Sequence, residues 1–396
     1  MLTPSAGVER LQWRLAGFYL FYYATVGAFL PYWSPYLQSR GFSTTQMGVA
    51  YALMGVMRSV IPLAWGWWAD HRGGRIVLIR WATLASLVLF LAIPFVDGVL
   101  FIGALMLGYT LFWHAVLPQF EVVTLNHLHA SGGDYNRVRL WGSVGFVLAV
   151  LILGAALDVT GIVWLPWLVG LFWVGMAASA WAVPEPPELH SRDAPRSSLW
   201  AVLKRPQMLA LLGACFASQL SFAPYYNFFT LFLERHEYSR SAVGMLWTLG
   251  VVAEIGLFMI VGRLIGRLGA RRLLLIVLMA TVMRWWLTAA GVGSWTLLII
   301  AQLSHALTFG AYHAVAVHYV QRMFPADLQG RGQAIYNAVA YGVGGSIGSL
   351  AAGYIWEAIS PEAVFYGAGG VALAGWWIAR RWLPRETTAS GDRAEA

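Results

Sequence analysis

One cysteine, Cys215, and one lysine, Lys204, stand in 396 residues. A single thiol excludes an internal disulfide and any cysteine-held metal cluster. The lone lysine lies between Leu203 and Arg205, so a phosphate-cradling GK[ST] loop is absent and ATP hydrolysis by that route is excluded. Charged residues make up only 11% of the chain against 59% hydrophobic ones, an apolar excess that no water-soluble domain of this length needs. Neither a catalytic motif nor a metal-ligand spacing stands out, so no enzyme, metal or organic cofactor is expected.

What the chain does have is long hydrophobic runs. A hydrocarbon layer ~30 Å thick takes about 20 apolar residues per helix, and unpaired backbone groups in lipid favour helices. Twelve spans are predicted, near 14–39, 45–69, 76–96, 99–128, 138–157, 162–183, 208–233, 241–265, 273–290, 294–321, 332–357 and 362–383. The expected fold class is therefore an all-α membrane protein with twelve transmembrane helices in two six-helix halves. The first half is 1–183, the linker 184–207, the second half 208–383 and a polar tail 384–396. The linker opens on the proline-rich, charged stretch PEPPELHSRDAPRSS. Abundant glycine suits close helix approach, and abundant tryptophan suits the headgroup region. The run from Leu15 to Gln38 is too long for the apolar region of a signal peptide.

Of the 26 Lys and Arg, 21 fall on one side of such a membrane topology and three, Arg40, Arg235 and Arg240, on the other. That asymmetry predicts both termini on the cytoplasmic side of an inner membrane. It also accounts for the net charge of +8 through lipid headgroups, without nucleic acid.

A ten-residue pattern occurs twice. Gly66, Asp70, Gly73 and Arg75 sit in GWWADHRGGR, and Gly262, Gly269 and Arg271 sit in GRLIGRLGAR, offset by 196 residues. Each copy joins two apolar runs, the layout of a duplicated carrier whose halves rock about a shared site. Asp70 can pair with the loop arginines and latch one conformation, whereas Gly266 replaces it in the second copy.

Ionisable groups inside the bilayer cost about 3 kcal/mol or more, so each invites a functional reading. Arg58, His114, Glu121, Arg139, Glu254, Arg284, His305, His313 and His318 are the candidates. Arg58 and Glu254 are also 196 residues apart, which puts opposite charges at matching depths in matching helices. Glu121 and Arg139 frame the loop between the fourth and fifth helices, where they can neutralise each other when empty and bind a polar solute when occupied. His305 and His313 share the tenth helix and titrate near neutral pH. The plain alternative for each is a packing salt bridge or hydrogen bond, and for His318 that alternative is preferred. Tyr225, Tyr226, Trp141, Phe146 and Trp285 can stack on an aromatic solute or simply pack.

The loop GWWADHRGGR resembles the signature between helices two and three of the major facilitator superfamily, with His71 and Gly74 where that signature has arginine. RVRLWGSVGF at 137–146 resembles the fifth-helix motif shared by lactose, nucleoside and phenylpropionate permeases. By that resemblance Glu121 and Arg139 match the acid and arginine that bind sugar in lactose permease. Arg284 and His305 match its ninth-helix arginine and tenth-helix histidine, and Thr308 stands where its proton-carrying glutamate would be. The nearer similarity is to the 3-phenylpropionate permease group. It is carried by YSRSAVGMLWTLGVVAEI at 238–255, by Arg58, by Arg284, and by His305 with His313. That group has aspartate at the position of Glu121, and the similarity runs through essentially all twelve helices.

The function expected is proton symport of a small, aromatic organic acid, driven by the proton gradient in place of any cofactor. Arg58, Glu121, Arg139, Glu254 and Arg284 are the expected substrate-binding residues. Glu121, Glu254, His305 and His313 are the expected proton-coupling ones. Three arginines against two glutamates favour a monoanion. The partners expected are that solute, protons and the lipid bilayer, with the chain a monomer. The alternatives are a symporter of sugar or nucleoside, an efflux carrier, or a membrane sensor that moves nothing.

Overall fold

The computed structural model describes residues 6–186 and 197–384, and among these the regular structure is entirely helical. Part of the expected linker (187–196) and nearly all of the expected tail (385–396) lie outside the described residues. Twelve helical rods follow one another. In the first half they are α1 Ala6–Ser39, α2 Thr44–Arg72, α3 Arg75–Leu91, α4 Val99–Ser131, α5 Tyr135–Thr160 and α6 Leu165–Ala182. After a one-turn helix at Leu199–Leu203 come α7 Pro206–Glu234, α8 Arg240–Phe258 and α9 Ala270–Ala290. Next is α10, made of Trp295–Leu303, Ala306–Ala311 and Tyr312–Met323. Then α11 is made of Gln329–Asn337, Ala338–Gly344 and Gly345–Ala358, and α12 is Pro361–Trp382. A further segment, Val261–Leu268, continues α8 beyond a break.

Nine of these, α2 to α9 and α11, are long and apolar enough on their own to cross a membrane. The other three are diluted or interrupted: α1 by its tyrosines, α12 by glycine and paired tryptophans, and α10 by a break at Ser304. Several ends outrun the predicted limits. The first helix starts at Ala6 rather than 14 and the fourth runs to Ser131 rather than 128, whereas α3 stops at Leu91, just before Pro94. Two rods are not plain α-helix. Ala306–Ala311 in α10 and Ala338–Gly344 in α11 are π-turns, which insert an extra residue per turn and often mark functional positions.

Serine starts equivalent helices in each half. Ser43 and Gln46 form a reciprocal capping box at α2, and Ser239 Oγ accepts from Ala242 N (3.2 Å) at α8. Gly73 and Gly74, both at positive φ (68° and 66°), make the turn into α3. Within the first half α1 packs on α5 and α6, α3 on α4 and α6, and α2 on α4; within the second, α12 packs on α7 and α9. The halves meet along α2 with α11, α5 with α8 and α1 with α7.

Those meetings concentrate at the end of the bundle away from the termini. A Cβ on Gly353 would lie 2.3 Å from Thr44 O, and one on Gly48 would lie 2.7 Å from Ser349 O, so α2 and α11 touch backbone to backbone there. Tyr32 Oη, on α1, donates to Val150 O (2.8 Å) beside the junction of α5 and α8. Toward the terminus-bearing end the glycine contacts of α2 with α11 stop at Gly342 against Ser59, and beyond them Val60, Leu63, Trp67 and Trp68 are exposed. The molecule is thus closed at one end and open at the other.

Tryptophan does more than line the headgroups. Trp81, Trp164, Trp181 and Trp377 are exposed, but Trp33, Trp173 and Trp285 are buried in the bundle interior. Trp33 stacks on Phe29 (4.9 Å between centroids) and Phe90 on Trp173 (5.5 Å), filling the first half with aromatic rings.

Candidate functional site

The charges converge on the cleft between the halves. In the first half Arg139 Nη2 donates to Tyr23 Oη at 2.6 Å, and its guanidinium lies 4.0 Å from the Tyr23 ring centroid. Glu121 is close enough to interact with Arg139 electrostatically and faces Tyr135. Among the described residues, however, no ion pair within 4.0 Å joins Glu121 to Arg139. The hydrogen-bonded partner of Arg139 is the Tyr23 phenol, and Glu121 acts on it from a longer distance. Arg139 also interacts electrostatically with Glu254 across the cleft, so the two halves share one field.

In the second half a relay crosses three helices. Arg284 Nη1 donates to His305 Nδ1 (2.9 Å) and to Thr308 Oγ1 (3.1 Å), and His305 Nε2 faces Glu254 Oε2 (3.3 Å). A guanidinium N–H can only donate, so His305 Nδ1 is the acceptor and Nε2 carries the hydrogen toward Glu254. His305, expected among the proton-coupling residues, thus stands between Arg284 and Glu254. Thr308 contributes a hydroxyl to Arg284, and the acid of the relay, Glu254, comes from α8.

Arg284 is fully buried, so it is not on the cleft wall with Arg139. Its guanidinium rests among Tyr225, Trp285 and Phe222, at 4.4, 4.6 and 5.4 Å from their centroids. Burial of a cation is tolerated where aromatic faces and hydrogen bonds replace water. Tyr225 and Trp285 are consumed by this packing, whereas Tyr226, Trp141 and Phe146 remain half-buried.

Arg58 is exposed to the cleft, with its guanidinium 5.7 Å from the Tyr341 ring centroid on the opposite half. Tyr341 Oη is 3.2 Å from His313 Nδ1, so Arg58, Tyr341 and His313 bridge α2, α11 and α10. His114 lies in the field of Arg58, and His313 stacks on Phe309, as does His305. Arg58 and Glu254 face the same cleft but do not form an ion pair.

Two placing residues escaped the sequence reading. A Cβ on Gly310 would come 3.0 Å from Glu254 Cγ, and one on Gly250 would come 3.3 Å from His305 Cβ. These glycines let α8 and α10 approach until Glu254 meets His305. The glycines were visible, but their partners lie on another helix, and no local pattern pairs them.

The duplicated loops differ in use. Arg75 bonds both Asp70 and Gln119, tying the loop to α4. Arg271 instead donates to Leu383 O (3.0 Å) and Arg380 O (2.8 Å) at the end of α12. The same service at the end of α6 is done in the first half by Arg80, which donates to Ala180 O and Val183 O. Gly66 approaches Gln119, and Gly269 turns the chain at φ 77°. Around Gly262 there is open space.

Residues 12–367 match the MFS_1 like family. The chain is 29% identical over 386 residues to the "Probable 3-phenylpropionic acid transporter" of Escherichia coli, covering 95% of this chain and 99% of that one. It is 27% identical over 390 residues to the "Maltose permease" of Geobacillus stearothermophilus, covering 95% of each. The crystal structure of the nucleoside transporter NupG superposes with a TM-score of 0.82 at 13% identity, over 95% of this chain and all of that one. The chain belongs to the MFS_1 like family and is a multi-pass membrane transporter, not an enzyme.

Proposed function

We propose that the protein is a proton-coupled symporter of a small aromatic monocarboxylate. The observation that carries this reading is Arg139, a cleft arginine held by Tyr23 and free of any carboxylate partner within ion-pair distance. Its remaining N–H groups can take a carboxylate in forked geometry. Arg58 adds positive potential, and Tyr226, Trp141 and Phe146 offer ring faces. Glu254 carries the proton beside the His305–Arg284 relay, and Glu121 gates it. An anion on Arg139 screens the positive charge that Glu254 feels, so anion and proton favour each other's binding.

The orientation that goes with this reading has both termini cytoplasmic in an inner membrane, so the open end faces inward. The energy source is the proton gradient, without ATP or cofactor, and the chain works as a monomer between its two six-helix halves. The second reading, a neutral sugar, is favoured by the maltose permease relative and by Glu121 beside Arg139.

Proteoliposomes loaded at alkaline pH and diluted into acidic buffer separate the two. Labelled 3-phenylpropionate is expected to accumulate, labelled maltose and uridine are not, and Arg139→Gln is expected to cut uptake about 100-fold. Accumulation of maltose or uridine instead would establish the rival, and saturable binding without accumulation would make the protein a sensor.

A further inference from the structure

The closed end carries two equivalent contacts, each made by a carboxylate from one half on the start of a helix in the other. Asp158, near the end of α5, accepts from Arg240 N (2.8 Å), Ser241 N (3.0 Å) and Ser241 Oγ (2.5 Å) at the start of α8. Glu357, near the end of α11, accepts from Thr45 N (3.2 Å) and Thr45 Oγ1 (2.7 Å) at the start of α2. Thr45 and Ser241 are 196 residues apart, the offset of the duplicated loops, and Asp158 and Glu357 are 199 apart, within one helical turn of the same relation. The first contact thus crosses from first half to second, and the other crosses back.

The first four N–H groups of a helix lack partners within it and carry partial positive charge. In both helices the half's own serine takes one of them, Ser43 for Gln46 N and Ser239 for Ala242 N. N–H groups beside it are left for the foreign carboxylate. At α8 the contact is reinforced, because Arg240 Nη1 also donates to Leu157 O (3.1 Å) while its Nε is held by Glu234 (2.9 Å). Asp158 and Glu357 are both exposed, so water can replace each bond as the ends part.

We propose that Asp158 and Glu357 are paired, releasable latches that hold this end of the transporter shut by capping helices of the opposite half. The latches set the balance between the two access states, whatever the cargo. Opening requires both carboxylates to exchange a foreign helix start for water. Because each half supplies one latch and receives the other, losing one weakens only one side of the junction.

The test is a distance measurement between spin labels across this end. Phe95→Cys and Ile359→Cys place labels on exposed positions of the two halves, 76% and 72% accessible, in a Cys215→Ala background. In liposomes Asp158→Ala and Glu357→Ala are each expected to add a population at longer separation, and the double variant to raise the open-to-closed ratio at least about tenfold. Ser241→Ala with Thr45→Val, which remove only the hydroxyl donors, are expected to shift it the same way by less. Glu362→Gln, a carboxylate of the same end that caps its own helix, is expected to leave it unchanged. Thermal unfolding of each variant identifies any that are misfolded. A folded double variant with the parent's distance distribution would overturn the proposal, as would an equal shift from Glu362→Gln.

Discussion

Arg139 is held in place by a phenol, and that choice has a measurable consequence. An acid in salt-bridge contact would compete with an incoming anion, whereas Tyr23 supplies an acceptor and a ring face and leaves Glu121 and Glu254 to act on the guanidinium only from beyond ion-pair distance. A hydrogen bond to a charged group contributes about 1.5–3 kcal/mol, and the cation–π contact survives loss of the hydroxyl. Tyr23→Phe is therefore expected to raise the KM for anion uptake roughly tenfold or more, with the unfolding temperature little changed. An unaltered KM would mean that Arg139 is oriented by something other than Tyr23. The acids and arginines themselves were legible in the sequence, since any ionisable group in an apolar run stands out. What each one bonds was not. The pairing with Tyr23 joins residues 116 apart, and the burial of Arg284 depends on three rings from two helices.

At the scale of elements, hydrophobic runs separated by polar loops gave nearly every helix, and the spans expected from 45 and 241 begin within a residue of α2 and α8, whose serine caps only the structure revealed. The π-turns in α10 and α11 had no such signal, because a wide turn is selected by packing across helices, not by local propensity. In α10 the turn spans Ala306–Ala311, between His305 and Tyr312, and contains Gly310, against which Glu254 lies. Gly310→Ala puts a methyl at 3.0 Å from Glu254 Cγ, so that side chain must shift by a few tenths of an ångström, which disturbs its 3.3 Å contact with His305. Misplacing a reacting group by about 1 Å can cost around 100-fold. Gradient-driven uptake by this variant is accordingly expected to fall between about tenfold and 100-fold, with anion binding in the absence of a gradient largely kept. If uptake were unchanged, the proximity of Glu254 to His305 would have no part in coupling.

For the whole molecule, the duplication was the most informative feature of the sequence, and it foretold the two-sided cleft. Gly266 in place of Asp70 already set the two copies apart, but what the second arginine would bind was not foretold. Arg75 ties its loop to α4 while Arg271 clamps the end of α12, because Gly266 stands where the first copy has Asp70. Nor could the duplication show which end is shut, since the glycine contacts and carboxylate caps that shut it join residues of different halves. The central claim is that Arg58, Glu121, Arg139 and Glu254, brought into one cleft, bind an anion and a proton together. External pH recorded in lightly buffered proteoliposomes as 3-phenylpropionate is added tests it most directly. The account predicts a substrate-dependent alkalinisation of the medium that is lost in both Arg139→Gln and Glu254→Gln. Anion uptake by the unmodified protein with no proton movement, or the same alkalinisation in both variants, would contradict it.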